Sequence, residues 1–465
     1  MFILMSDQII RSVLGRVAGL HASQRYLSII NVGDSKFFKL DNQFEEIEEK
    51  EKQNLKKSIG NTHDEFIKPE YSLTMAHTLS VASKLAYEDV EVVKFELQKA
   101  GFDVENTFRA IAYKNVCAYA IEKDNDIFLV FRGTNPLNIQ NYVTNIDAGL
   151  TTVSNSDKSM GRVHKGFWDA MGSVENTPSA SHASVHIELS DASLSQALSA
   201  ACQGIVRIFS LLSTAVFKNV VDPIDASWAG YSPNVRYQSA YMQSEDWILQ
   251  LIGTNTDSKN KQIYITGHSL GGALATVFLA KMIQNKSRLL DHFAGLYTYG
   301  EPNIGDRNFS KSFPPEITCK IFNHTYNNDV VPRIPFWYSP PPGTLVFIDS
   351  SYKISIYPPN PTTHEPVPVR SISYIHLSGL LNKHVIKRLI SETPTRILFR
   401  ILFPFFINDH FPSDYSDALL SGDVEWVVVG DEGLKAGNSE YEDSKSDDSK
   451  RKRYSLQLGN EEESY

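Results

Sequence analysis

Three cysteines in 465 residues, Cys117, Cys202 and Cys319, are too few and too far apart for a disulfide framework or a metal knuckle, and they fit a reducing compartment. Excess positive charge is lacking as well. Against 54 Asp and Glu stand 45 Lys and Arg, a net charge of -9, so no nucleic-acid partner is expected. Long uncharged apolar runs are also missing, because Arg207 interrupts the best candidate for a membrane span and Arg400 the next. The opening MFILM breaks into Ser6, Asp7 and Gln8, too short for a secretory leader and without its basic start. These absences predict a cytoplasmic protein, free in solution or associated with a membrane surface. What is abundant is apolar material: 42% hydrophobic and 11% aromatic residues can bury the core of one enlarged catalytic domain with extensions.

The charged stretch FEEIEEKEKQNLKKSI lies in an N-terminal extension, residues 1–70, read as a solvated helical segment. From Tyr71 apolar residues recur at helical spacing (Leu73, Ala76, Leu79, Ala82, Leu85, Ala86). VCAYAIE and IFLVFRGT, separated by KDND, then read as a β-hairpin. Further on, FAGLYTYG and TCKIFNHTY read as strands that alternate with helices, the order of a mostly parallel sheet. The domain is expected over residues 71–430. Residues 431–465 form a polar tail of mixed charge, expected to be disordered. Its KRKR, Lys450 to Arg453, is read as a solvated charge run rather than a nuclear-import signal.

The most informative stretch is QIYITGHSLGGALA, residues 262 to 275. Gln262 to Thr266 reads as a buried strand and Leu270 to Ala280 as a helix, which puts Ser269 on the junction. A turn that points a serine out at the top of a sheet brings its backbone close to its neighbours, and Gly267 and Gly271 stand where a Cβ would collide. The pattern is that of a GxSxG nucleophile elbow. It places the Leu270 N–H in the first helical turn, where unpaired donors and the helix dipole favour an oxyanion. A plain Gly-Ser turn is the competing reading.

Four segments taken together, LVFRGTNPLNIQNYVTNID, VHKGFWDA, ITGHSLGGALA with TYGEPNIGD, and HTYNNDVVPRIP, resemble the class 3 lipase family, the fungal-type triacylglycerol lipases. They occur in the family's order, within about Tyr71 to Leu420. The resemblance implies an α/β-hydrolase fold, with a mostly parallel central sheet and helices on both faces. Carried over, it makes Ser269 the nucleophile, Asp329 the acid that orients the histidine, and Thr134 an oxyanion donor beside Leu270. Asp329 also follows a strand-like run and precedes VVPRIP, so it falls on a loop at a strand end, where such sheets place chemistry. An Asx turn in NND is its other reading.

The triad order serine, acid, histidine leaves His364, His376, His384 and His410 as candidate bases. His364 lies among prolines, and His384 shares a predicted helix face with Lys383, Lys387 and Arg388. His410 in NDHFPSDY follows an apolar run, precedes a helix predicted from Ser413 and resembles the family's histidine, so it is favoured over His376.

Two departures stand out. IQNYVTNI puts Ile139, Tyr142, Val143 and Ile146 on one helical face, as a lid or as an ordinary surface helix. Between His164 and Ser269 lies a helical insertion, about residues 175–240, and its apolar stretch 194–221 reads as a buried cap or a membrane-docking helix. The chemistry implied is hydrolysis of lipid carboxylic esters, acylglycerols first, through an acyl-enzyme and with no metal or cofactor. Contact with a membrane or lipid-droplet surface goes with it. A phospholipase A1-type or feruloyl-type esterase and a noncatalytic lipase-like scaffold are the alternatives.

Overall fold

The computed structural model describes residues 71–113, 116–133, 149–155, 158–172, 228, 238–253, 260–360, 363–375 and 405–426. The N-terminal extension, Thr134, the 139–146 stretch, the 194–221 stretch, His376, His384 and the polar tail therefore lie outside the described residues.

Strands β1 (Arg109–Tyr113), β2 (Val116–Lys123) and β3 (Asp126–Phe131) form an antiparallel meander, whose second turn is the KDND hairpin expected from the sequence. The hairpin β4 (Leu150–Asn155) and β5 (Lys158–His164) is separate from the main sheet. The strands β6 (Gln262–His268), β7 (Phe293–Tyr299), β8 (Ile321–Tyr326) and β9 (Thr344–Ile348) then run parallel to β3 and to one another. Last come β10 (Lys353–Tyr357), antiparallel to β9, and β11 (Asp423–Trp426), parallel to β10. Among the described residues the sheet thus has nine strands in the order β1-β2-β3-β6-β7-β8-β9-β10-β11. Five parallel strands at its centre, with helices on both faces, make this an α/β-hydrolase fold.

The alternation of side chains along each strand divides the interior into two cores. On β3, Ile127, Leu129 and Phe131 point to one face, and Phe128 and Val130 to the other. The first face is covered by α3 (Lys165–Met171), α4 (Ala240–Ile252) and α5 (Leu270–Gln284), through residues such as Met171, Ile248 and Phe278. The second is covered by α1 (Leu73–Leu85), α2 (Val90–Lys99) and α6 (Pro412–Ser421), through Leu79, Val93 and Tyr415. Helix α1 begins where the Ser72 hydroxyl accepts the Met75 N–H at 3.1 Å, a cap that satisfies one of the first-turn donors. Helix α5 is buried on every side from Leu270 to Ile283, which explains its apolar, small-residue composition. It runs four residues beyond the expected end at Ala280, and β6 runs two beyond Thr266.

Candidate active site

Ser269 lies between β6 and α5 with φ 59° and ψ -130°, a conformation that side chains other than glycine's rarely adopt. The crowding that imposes it is local. A Cβ on Gly267 would come within 2.2 Å of the Gly271 carbonyl group, and one on Gly271 within 2.3 Å of the Phe131 carbonyl oxygen. Strand β3 therefore ends against the elbow, and residues 131–133 pass directly over the start of α5. Leu270 is the first residue of that helix, so its N–H has no partner within it and is available to an oxyanion. Thr134, the second expected donor, follows immediately but is not described.

Asp329 and His410 reach the same point from the far side. The Nε2 of His410 is 2.8 Å from the Ser269 hydroxyl, and its Nδ1 is 2.8 Å from Asp329 Oδ2. All three residues are fully buried. The two oxygens of Asp329 differ: Oδ1 accepts the Val331 N–H at 2.9 Å, an Asx-type turn, while Oδ2 faces His410 Nδ1 at 2.8 Å. His364, by contrast, is exposed, with φ 56°, in the loop that follows β10.

Around these three residues are partners that the sequence did not single out. The Tyr415 hydroxyl on α6 donates to Asp329 Oδ2 at 2.5 Å, and burial together with the Asp329 charge keeps its pKa well above the usual value. Asp409, beside His410, accepts from the Asn327 side chain at 2.8 Å and the Asn328 N–H at 3.1 Å, which ties the histidine loop to the acid loop. Arg333 closes that acid loop by donating to the carbonyls of Asp329 at 3.0 Å, Asn327 at 2.7 Å and Ser373. On the opposite side, His268 Nε2–H donates to the His410 carbonyl at 2.8 Å, and since that oxygen can only accept, Nδ1 of the neutral ring accepts the Tyr87 hydroxyl at 2.8 Å. Burial, and then the neighbouring His410, hold the pKa of His268 well below its usual value, so it stays in that form. Tyr415 could have been suspected from HFPSDY, five positions after His410. Nothing in the sequence joins Tyr87 to His268, 181 positions away.

Chemically, the arrangement can remove a proton from Ser269, store it on an oriented imidazole and stabilise charge on an attacked carbonyl oxygen. Among the described residues no cluster of three or more His, Cys, Asp or Glu could hold a metal ion.

Fold and site together define an α/β-hydrolase with a serine–histidine–aspartate chain at the carboxyl edge of its sheet. Within that class, residues 128–339 match the model for lipase (class 3). The chain is similar to a triacylglycerol lipase OBL1 of Ricinus communis, at 27% identity over 74% of this chain and 64% of that protein. It is likewise similar to its namesake in Nicotiana tabacum, 27% over 55% and 48%, and to a secreted mono- and diacylglycerol lipase LIP4 of Malassezia restricta, 31% over 31% and 47%. The chain thus spans roughly half to two thirds of the length of these relatives. Among solved structures, Lip2 lipase from Yarrowia lipolytica is 18% identical, with a TM-score of 0.34 over 62% of this chain and 82% of that one.

Proposed function

We propose that the chain is a serine hydrolase that cleaves carboxylic ester bonds of lipids, acylglycerols foremost. The observation that carries this reading is the continuous hydrogen-bonded path from Ser269 through His410 to Asp329, on a φ-positive elbow at the start of a helix. His410 takes the Ser269 proton at Nε2 as the hydroxyl attacks the ester carbonyl, and Asp329 stabilises the resulting imidazolium. The Leu270 N–H, with Thr134, holds the oxyanion. Collapse expels the alcohol with the proton from His410, and water, activated by the same histidine, releases the acid. The acylglycerol class is supported by the names of the relatives, a triacylglycerol lipase and a mono- and diacylglycerol lipase.

The test is Ser269→Ala, examined with a fluorophosphonate label and a panel of esters of graded acyl length. Labelling should vanish and turnover should fall on the order of a millionfold, the usual cost of losing such a nucleophile. A folded Ser269→Ala protein that still hydrolyses esters at the parent rate would overturn the assignment.

The reading extends to a lipid surface, of membrane or droplet, met by the face that bears Trp337, Tyr374 and Ile375, which are 52%, 64% and 41% exposed. These residues stand close to the acid loop, because Arg370 donates to the Phe336 carbonyl at 2.8 Å and Arg333 to that of Ser373. The double substitution Trp337→Asp and Tyr374→Asp should weaken sedimentation with liposomes while hydrolysis of a short soluble ester persists. Undiminished sedimentation would remove this surface from the proposal. The same reading divides the chain into an extension (1–70), a hydrolase domain (71–430) and a polar tail (431–465), and places it in the cytoplasm, a reducing compartment.

A further inference from the structure

A cavity of about 570 Å³ opens at the edge of the sheet opposite the triad. The parallel strands fix that placement. Thr344 is the first residue of β9 and Cys319 stands two positions before β8, whereas Asp329 and Ser269 follow strand ends. Six residues of β8 at about 3.3 Å each separate the two edges by roughly 20 Å. The volume falls in the range of sites that enclose small organic ligands. Its walls are mainly apolar, with Met160 from β5, Ile283 from the end of α5 and Phe313 among them.

Two of the polar groups on the wall bear on what it could hold. The Thr344 side chain is fully buried and its hydroxyl has no hydrogen-bond partner. Other hydroxyls on the wall are committed, since Ser310, Ser312 and Thr318 all donate to backbone carbonyls. A buried group left unpaired calls for a ligand or water to satisfy it. The second feature is Lys311, which reaches the cavity from a group in which it and Arg307 share one carboxylate, Glu365. Of these three groups only Lys311 lines the cavity, so it brings an ammonium to the wall.

We propose that this cavity is a second binding site, for an amphiphile that carries one carboxylate on an aliphatic chain, such as a free long-chain fatty acid. The carboxylate accepts from Thr344 Oγ1 and pairs with Lys311, and the chain lies against Met160, Ile283 and Phe313. An anionic head answers both polar features at once. A neutral alcohol of the same length would leave Lys311 unanswered. That the chain's own reaction releases such an acid rests on the function proposed above; the cavity and its ligand class do not.

Cys319 supplies a local reporter, because it lines the same cavity. Alkylation of Cys319 by a maleimide, followed by peptide mass spectrometry on the Ser269→Ala protein, should be slowed saturably by oleate below its micelle concentration. Oleyl alcohol should need about tenfold more, the weight of one charge-assisted hydrogen bond. Thr344→Val and Lys311→Met, both checked for unchanged melting, should each weaken protection by oleate about tenfold. Absence of protection by oleate would overturn the site, as would equal protection by acid and alcohol, or protection unaffected by either substitution. Two further outcomes separate this inference from the function. Loss of ester hydrolysis in Ser269→Ala without any protection of Cys319 sinks the site alone, whereas protection in a parent protein that cleaves no ester sinks the function alone. Ester substrate that protects Cys319 in the active protein but not in Ser269→Ala identifies the ligand as the chain's own product, and protection in both proteins would show that the uncleaved ester suffices and remove the requirement for a carboxylate.

Discussion

The loops that leave β7 and β8 run side by side, and each buries a carboxyl group near His410. Asp329, after β8, meets three donors: His410, Tyr415 and the Val331 N–H. Glu301, after β7, is almost as deeply buried, yet neither of its oxygens has a hydrogen-bond partner. Burial pushes its pKa up to about 7, against a smaller downward pull from the Thr276 and Thr298 hydroxyls nearby. Its neighbour Gly300 packs against both side chains, since a Cβ there would press on His410 and Asp329. The two groups show that depth does not decide what a carboxyl does in this fold. Donors aimed at it do, and the chain has spent them on Asp329.

Removing the charge of Asp329 should break the comparison most severely. Asp329→Asn keeps the shape but presents an amide to His410 Nδ1, which favours the wrong tautomer, and kcat on a short soluble ester should fall about ten-thousandfold. Activity within tenfold of the parent would mean that the acid lies elsewhere.

Glu301→Gln tests the other side through stability. In the folded state the carboxyl keeps its proton up to about pH 7, while in the unfolded chain it loses it near the ordinary glutamate value of 4.5. The parent therefore loses stability as pH rises between those values, because the unfolded chain binds fewer protons there. The glutamine variant has no such loss, so it should gain on the parent by on the order of 3 kcal/mol from acid to mildly alkaline pH. A difference in melting free energy that stays constant with pH would show that Glu301 titrates normally.

The smallest effect is expected at Tyr415→Phe, which removes one of the three donors to Asp329 and keeps the ring packing. A hydrogen bond to a charged group contributes about 1.5 to 3 kcal/mol, so kcat should fall roughly tenfold or somewhat more with KM unchanged. A rise in KM alone would make Tyr415 a wall of the substrate pocket instead.

Legibility in the sequence followed the distance over which each feature is encoded. The elbow was readable because strand, glycines, serine and helix are contiguous, and both Gly267 and Gly271 prove to be crowded as expected. The hairpin before Phe131 and the first helix were readable for the same reason. Strands β9 and β10 were not, since TLVFI and KISIY are short, edge toward prolines and turns, and carry little period beyond their neighbours. His410 was reached only through the chain order of the triad and a resemblance, and its partners Asp409 and Tyr415 came with it unnoticed. Glu301 hid in TYGEPN, where one acidic residue after a strand reads as a solvated loop. Its burial depends on α5, β7 and the chain beyond β8 closing over it, which no local pattern records.

The separation of Ser269 from His410, 141 positions, also has a consequence in time. During synthesis the serine, its glycines and the helix behind it leave the ribosome long before the histidine exists. At the usual pace of translation the interval is about 7 to 28 s. Helix α6, which carries Tyr415, and strand β11 emerge later still. The hydrogen-bonded path from Ser269 through His410 to Asp329 can therefore close only after the chain has been made at least as far as His410.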